Sequence, residues 1–562
     1  MWKNEAFAAF FLDPFAAAVE KALFAFSSEK VISRVWRKDW TVWKPVDEEI
    51  GNRLNWLEAP WSMAGQVAGL KAWADSLRRA GFRTAVVLGM GGSSLAPEVF
   101  SSIFPTERGW LDLAVLDTTA PDAIHRARSR LQPATTVFLV SSKSGTTAET
   151  NALLNSFYDW MAERLGAANA GRHFIAVSDP ASPLETLSRT LGFHSFVAGD
   201  PAIGGRFSAL SAFGLAPAAL KGLDLDRLLA GAADMGRVCG LTNVHENPAA
   251  VLGAILGVLA LGGRNKLTLL LSPAWRSLGA WLEQLIAEST GKEGRGILPI
   301  CEAGLASPDL LSHDRLFVLI SSPGDETDLA VRSALVSSKV PHILLPLRER
   351  YALGRQFFLW EMATALAGRV LGINPFDQPN VDATKRRTRE VLTMASAAET
   401  GDIEDIAADG PEEVVEAELL SFLGGAGPGA YAALQAFVDP DDRVERELER
   451  LRVAFRDAFR LAVTAGFGPR FLHSTGQLHK GDRGQGLFLQ LVAEPARDLD
   501  IPDIPGSPAP APSFGRLIDA QAKGDWLALR DAGRRVIRIN LGQEGASGLR
   551  RLTGLIQSMR RR

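Results

Sequence analysis

The chain has 562 residues, with 61 Lys and Arg against 64 Asp and Glu, 46% hydrophobic and 22% charged residues. At roughly 150 residues per folding unit, this length predicts three or four units, or two large ones with an appendage. A net charge of −3 and an isoelectric point near 6.3 exclude the basic field that holds a nucleic-acid backbone, and the closing Arg560, Arg561 and Arg562 are too few to change that. Cys239 and Cys301 are isolated and offer neither a disulfide framework nor metal-ligand spacing, so a reducing compartment, the cytoplasm, is expected.

In chain order, Met1 to Phe26 is apolar but interrupted by Lys3, Glu5, Asp13, Glu20 and Lys21, which a secretory signal would not tolerate; residues 1–49 read as an N-terminal helical segment. Apolar runs then alternate with helix-like stretches, the pattern of parallel strands covered by helices. Predicted strands are Ala85 to Leu88, Thr136 to Val140, Phe174 to Val177, Lys266 to Leu271, Leu316 to Ile320 and His342 to Leu345. Most lack polar alternation, as strands buried on both faces should. Predicted helices include Pro97 to Phe104, Thr147 to Leu165 and Arg276 to Thr290, where Leu278, Trp281, Leu282, Leu285 and Ile286 form one stripe. The apolar run Ala249 to Gly263 is short of the ~20 residues that span a bilayer and reads as a buried core helix, so no membrane partner is expected.

Two α/β/α units are expected, at residues 50–240 and 241–390. Beyond Lys385 the texture changes: an acidic stretch (Asp402 to Glu418), a Gly/Pro loop (Gly424 to Gly429), a charged helix (Asp441 to Ala465) and the proline-rich Pro502 to Pro512. Residues 391–562 read as a separate C-terminal α/β extension, with Arg470 to His473, Gly486 to Val492 and Val536 to Asn540 as strands.

Two strand-to-helix turns hold the first chemical signals. In Val86-Val87-Leu88-Gly89-Met90-Gly91-Gly92-Ser93-Ser94-Leu95, glycines let a ligand approach the backbone and leave helix N-terminal N–H groups outward, though the same turn serves plain tight geometry. In Ser141-Ser142-Lys143-Ser144-Gly145-Thr146-Thr147-Ala148-Glu149-Thr150, hydroxyls crowd a helix N-terminus, which suits a dianionic phosphate monoester. A capping box between Thr146 and Glu149 explains one or two of these hydroxyls, not all of them. The spacing is neither G-x-G-x-x-G nor a triphosphate-binding G-x-x-x-x-G-K-[ST], so a phosphorylated small molecule is the expected ligand.

Together these turns resemble the sugar isomerase (SIS) fold, and specifically the glucose-6-phosphate isomerase family. Three later motifs are similar to that family's: Gly204-Gly205-Arg206-Phe207-Ser208, Glu283-Gln284-Leu285-Ile286-Ala287-Glu288-Ser289-Thr290-Gly291-Lys292, and Asn374-Pro375-Phe376-Asp377-Gln378-Pro379-Asn380-Val381-Asp382-Ala383-Thr384-Lys385. The run Phe471-Leu472-His473-Ser474-Thr475-Gly476-Gln477-Leu478-His479-Lys480-Gly481 resembles the tail of bifunctional transaldolase/glucose-6-phosphate isomerase chains, of which only the isomerase half is expected here. The resemblance implies two SIS-like α/β/α sandwiches with parallel sheets plus the C-terminal extension, and interconversion of glucose 6-phosphate and fructose 6-phosphate through an enediolate.

On a helix, Gln284 and Glu288 lie one turn apart on the same face and can look into one cleft. The resemblance makes Glu288 the base, Arg206 the enediolate stabiliser and Lys385 the assistant of ring opening. It makes Gln284, Gln378, Gly92, Ser93, Ser142, Lys143, Ser144, Thr147 and Thr150 substrate ligands. The family's ring-opening histidine has no clear counterpart: His342 reads as a structural histidine at a strand entry, so His473 or His479 is expected to fill the role, with His479 chosen. Glu283 replaces a family Gln and Asn380 a Gly, departures that touch fine geometry. No metal or organic cofactor is expected. The only partner expected is a sugar phosphate; a homodimer is compatible with the sequence but not legible in it. Two alternatives stand beside this reading, an isomerase that also takes mannose 6-phosphate and a non-catalytic phosphosugar-binding regulator.

Overall fold

The computed structural model describes residues 6–302, 304, 313–322, 324, 326–393, 403–507 and 512–561. Asp402, where the acidic stretch begins, and residues 508–511 of the proline-rich run lie outside them, as do Lys3, Glu5 and Arg562.

Among the described residues, fifteen strands form three five-stranded sheets. The N-terminal segment, expected to be helical, also supplies a short strand, β1 (Ala9–Phe11). The first sheet comprises β2 (Thr84–Gly89), β3 (Asp112–Leu116), β4 (Thr136–Ser141), β5 (Phe174–Ser178) and β6 (Ser195–Ala198), in the order β3-β2-β4-β5-β6, all parallel. The second comprises β7 (Lys266–Leu271), β8 (Leu298–Glu302), β9 (Arg315–Ser321) and β10 (His342–Pro346), in the order β1-β10-β9-β7-β8, with β1 antiparallel at the edge. The third comprises β11 (Ile406–Ala407), β12 (Tyr431–Phe437), β13 (Ala462–Phe467), β14 (Gly486–Val492) and β15 (Arg535–Asn540), ordered β11-β15-β14-β12-β13 and again parallel.

The six strands predicted before residue 390 all form, and the continuous apolar runs of β4, β7 and β9 are buried along their whole length, as strands covered on both faces require. The run from Ala249 is the buried helix Pro248–Leu261, opened by Pro248 in its first turn and by Asn247, whose side chain accepts from the Ala250 N–H at 3.0 Å. No described helix is long and apolar enough to cross a membrane. Two expectations in the C-terminal extension are corrected. The charged helix ends at Phe459, because Arg460 turns into the left-handed region (φ 54°), and the residues expected to continue it form β13. Arg470–His473 is a 3₁₀ turn rather than a strand.

One hydrophobic core runs from Phe7 to Phe376 through the N-terminal helices and the first two sheets, while the third sheet is built around its own. The extension joins the rest through three clusters, one of which packs Ile501, Phe514 and Leu517 with Val86, Leu88 and Phe157 of the first unit; the other two are smaller. In one, Ala287, Leu298 and Ile300 meet Tyr431, Leu478 and Phe488; in the other, Ala120 and Ala123 meet Phe437, Phe471 and Ile518. The segment following β13 is therefore wedged between both preceding sheets.

Candidate active site

The first sheet reverses its winding between the neighbours β2 and β4, where Gly89 pairs with Ser141. A crevice outside the carboxyl ends of two such strands is the usual ligand position in an open parallel sheet. Both glycine and hydroxyl loops emerge there. Glycine is required at position 92, since a Cβ would lie 2.0 Å from the Gly205 carbonyl oxygen. At Gly91 (φ 54°) a Cβ would lie 2.7 Å from Gln284 Nε2. The glycine turn thus packs directly on the arginine turn and on the helix Leu278–Thr290.

In the second loop, Ser142 Oγ and Thr147 Oγ1 are 2.9 Å apart, the Gly145 N–H donates to Ser142 Oγ at 3.1 Å, and Ser144 Oγ lies 3.0 Å from Thr146 Oγ1. Thr150 is buried with its hydroxyl unpartnered among the described residues, and Ser93, in the glycine loop, is buried as well. Lys143 is held aside: its Nζ pairs with Asp179 at 2.5 Å and reaches the Asp200 and Pro201 carbonyls at 3.2 Å. The helix Ala148–Leu165 starts without a side-chain cap, so the capping box between Thr146 and Glu149 is not made. Glu149 faces the C-terminal extension instead.

Arg206, 3% exposed in the 3₁₀ turn Gly205–Phe207, is fixed on every side. Its Nε donates to Ser289 Oγ (2.8 Å), Nη1 to Gln378 Oε1 (2.9 Å), and Nη2 to the Pro375 and Asp377 carbonyls (2.7 and 2.9 Å). The remaining reach of Nη1 is to Glu288 Oε1 at 3.1 Å. Gln284 Nε2 donates to Glu288 Oε2 at 3.1 Å and to the His473 carbonyl at 2.8 Å, joining the carboxylate to the C-terminal segment. Lys292 lies behind Arg206, its Nζ on the Asp377 carbonyl and, at 2.7 Å, on Asp377 Oδ1. Burial, aided by the Arg206 charge and opposed by Asp377, brings the Lys292 ammonium down to about 8.

The imidazole of His473 completes the arrangement, with Nε2 at 3.1 Å from Glu149 Oε1. Burial pulls the imidazole toward neutrality, but the charge and hydrogen bond of Glu149 outweigh it and raise its pKa. The same pairing outweighs burial at Glu149 and holds its carboxyl below the ordinary range. The result is a paired imidazole and buried carboxylate next to the hydroxyl loop. Among the described residues no group of His, Cys, Asp and Glu has the arrangement of a metal centre.

A family model described as phosphoglucose isomerase matches residues 72–296, the stretch that contains both loops, Arg206 and Glu288. The glucose-6-phosphate isomerase of Symbiobacterium thermophilum is 31% identical over 356 residues, 55% of this chain and 79% of that protein. The chain belongs to the phosphoglucose isomerase family. It is accordingly an aldose-ketose isomerase. The glucose-6-phosphate isomerase of Carboxydothermus hydrogenoformans is 28% identical over 396 residues, 60% of this chain and 85% of its own length. Among solved structures, a hypothetical protein from Thermus thermophilus superposes with a TM-score of 0.58 at 25% identity, over 69% of this chain and all of that one. A glucose-6-phosphate isomerase from Chlamydia trachomatis shares the fold with a TM-score of 0.57, over 73% of this chain and 90% of that one, at 19% identity.

In this phosphoglucose isomerase family member, Glu288, Arg206, Gln284 and Gln378 are joined by direct contacts, and Gly92 packs on Gly205, the residue before Arg206. Lys385 stands half-exposed on the helix Val381–Thr393, 3.5 Å from Asp382, and its charge acts on both Glu149 and His473. His479 is not brought to this group. Its ring is 2% exposed and packs on Tyr431, Phe471 and Phe488 with centroids 6.5, 6.0 and 5.0 Å away. Burial, with Lys480 and Arg534 nearby, keeps it neutral by moving its pKa well below the ordinary value. His342 stacks on Phe11 at 6.0 Å and bonds to the Val340 carbonyl, a structural position. The sequence reading missed Glu149, Ser289 and Lys292 as members of the cluster although all three stand inside the quoted motifs.

Proposed function

We propose that the chain interconverts glucose 6-phosphate and fructose 6-phosphate through a cis-enediolate, with Glu288 as the base. Support comes from the names of its relatives and, above all, from the 3.1 Å pairing of Glu288 with a buried, fully anchored Arg206. The Glu288 carboxylate, held at this position by Arg206 and Gln284, can take the C2 proton of the open aldose and return it to C1. The fixed guanidinium then faces the negative charge that develops on the oxygens, with no reorganisation at the moment of reaction.

The phosphate is assigned to the helix N-terminus and hydroxyls of Ser142, Ser144, Thr147 and Thr150, with Gly92 and Ser93 against the sugar. Gln284 and Gln378 hold the catalytic groups and border the substrate; Lys143, tied to Asp179, is at most a supporting charge. For ring opening, the assignment moves from His479 to His473. His473, its pKa raised by Glu149, can in its protonated form give a proton to the ring oxygen while solvent water takes the proton of the C1 hydroxyl, with the Lys385 charge assisting from the rim. The segment supplying His473 is the one that resembles the tail of bifunctional transaldolase/glucose-6-phosphate isomerase chains, and its role here belongs to the isomerase chemistry. The site so assigned draws on all three units proposed at residues 50–240, 241–390 and 391–562.

A coupled assay of fructose 6-phosphate conversion tests this. Wild type is expected to turn over, and Glu288→Gln to keep sugar-phosphate binding while losing about 10³-fold or more in kcat. Binding without turnover in the wild type would instead identify a phosphosugar-binding regulator. Equal rates with mannose 6-phosphate would show dual specificity.

A further inference from the structure

The His473–Glu149 pair has a support that the family motifs do not contain. We propose that Gln521 is a positioning residue for ring opening: clamped by Thr119, its amide fixes the Glu149 carboxylate that aims the His473 imidazole. This rests on the functional reading above.

Gln521 is 2% exposed within the helix Phe514–Asp531 of the C-terminal extension, and Thr119 is fully buried between β3 and the helix Pro121–Arg130. Thr119 Oγ1 donates to Gln521 Oε1 at 2.8 Å, and Gln521 Nε2 donates to Glu149 Oε1 at 2.7 Å. The amide can face only one way. Turned over, it would set its carbonyl oxygen against a buried carboxylate oxygen, two acceptors with no proton between them. The carboxylate therefore sets which way the amide faces, and the Thr119 hydroxyl anchors its oxygen, so that the amide in turn holds the carboxylate in place. Glu149 Oε1 receives two donors, Gln521 Nε2 and His473 Nε2, so the amide shares the electron density that would otherwise go to the imidazole.

The charged groups facing His473 are Glu149 from the helix Ala148–Leu165, Lys385 from Val381–Thr393 and Glu288 from Leu278–Thr290. Gln521 is neutral and touches only the first of these. Without its donor the neutral-imidazole state, in which Glu149 is a lone buried anion, loses more than the imidazolium state does. The proton is then held more tightly on His473.

Gln521→Leu is therefore expected to raise the His473 titration midpoint by about 0.5–1 pH unit, read by NMR with His473→Gln as the assignment control. The alkaline limb of kcat/KM for the cyclic sugar phosphate should move with it, and kcat should fall about tenfold with KM changed less than about threefold. Thr119→Val, which removes the anchor of the amide oxygen and loosens its hold on Glu149, should move both in the same direction, and Thr119→Ser should restore the wild-type profile. An unmoved imidazole titration in Gln521→Leu and Thr119→Val, with any loss of rate tracking loss of folded protein, would leave these residues as packing alone and overturn the inference. A wild type with no turnover would remove the functional reading first and this role with it.

Discussion

Glu283 stands where the family motif has glutamine, in the one-turn neighbourhood of Glu288, and burial pushes its carboxyl up to about 7 against the donated bond of Ser474 and the charge of Arg470. A carboxyl raised above its unfolded value near 4.5 binds an extra proton in the folded state between those two pH values. Its contribution is thus fully present below about 4.5 and lost as pH rises through about 7. Glu283→Gln is expected to remove that slope, gaining roughly 1–3 kcal/mol over wild type at pH 8 and little at about pH 4, as thermal melts at both values would read. Lys292→Met should act on chemistry: with Asp377 released, the carbonyl that braces Arg206 loses its anchor, and kcat/KM is expected to fall at least about tenfold while the fold is kept. Residues at this scale were only partly legible. His473 and His479 lie in one polar, glycine-bearing run, and nothing in their spacing distinguishes a ring facing Glu149 from one packed among three aromatic rings. That difference is set by partners 324 residues away in one case and by β12 and β14 in the other.

Among the elements, the segment Arg470–Gly481 does the joining. Arg470 pairs with Glu98 and lies 3.4 Å from Asp117 on the first sheet, Ser474 bonds to Glu283, and Gln477 reaches the Gly291 carbonyl and Asn380 on the second. The Asn380 that replaces a family glycine accepts from Gln477 Nε2 at 2.7 Å, so this departure from the motif meets a residue of the extension. Gly92→Ala tests the opposite face of the cleft. With a methyl 2.0 Å from the Gly205 oxygen, the arginine turn must move, and a loss of about 10²-fold or more in kcat/KM is expected from coupled assays, with weaker binding of sugar phosphate. Strands with continuous Val, Ile and Leu runs could be read directly. β12 could not, because Tyr431-Ala-Ala-Leu-Gln-Ala-Phe437 contains no β-branched residue, and β13 could not, because the helical periodicity before it runs on until a single left-handed Arg460.

For the molecule as a whole, the third sheet is bound to the second through a buried carboxylate. Glu302, at the end of β8, accepts from Arg315 Nη1 at 2.8 Å and Arg456 Nη1 at 2.6 Å, with Arg452 Nη1 3.9 Å away. The guanidinium charges hold it ionised in spite of burial. Glu302→Gln leaves buried cations facing a neutral amide and is expected to lower stability by roughly 3 kcal/mol, measurable by denaturant unfolding. The layered α/β plan was legible because each strand speaks through its own short run of residues. The wedge between sheets was not, since packing across roughly 300 residues leaves no local trace.

The distance along the chain between Glu149 and His473 also orders events in time. A ribosome has made the hydroxyl loop, the arginine turn and Glu288 long before it reaches the imidazole, and the amide of Gln521 comes later still. Synthesis at about 5–20 residues per second therefore yields one wall of the cleft well before the imidazole and amide that close the other.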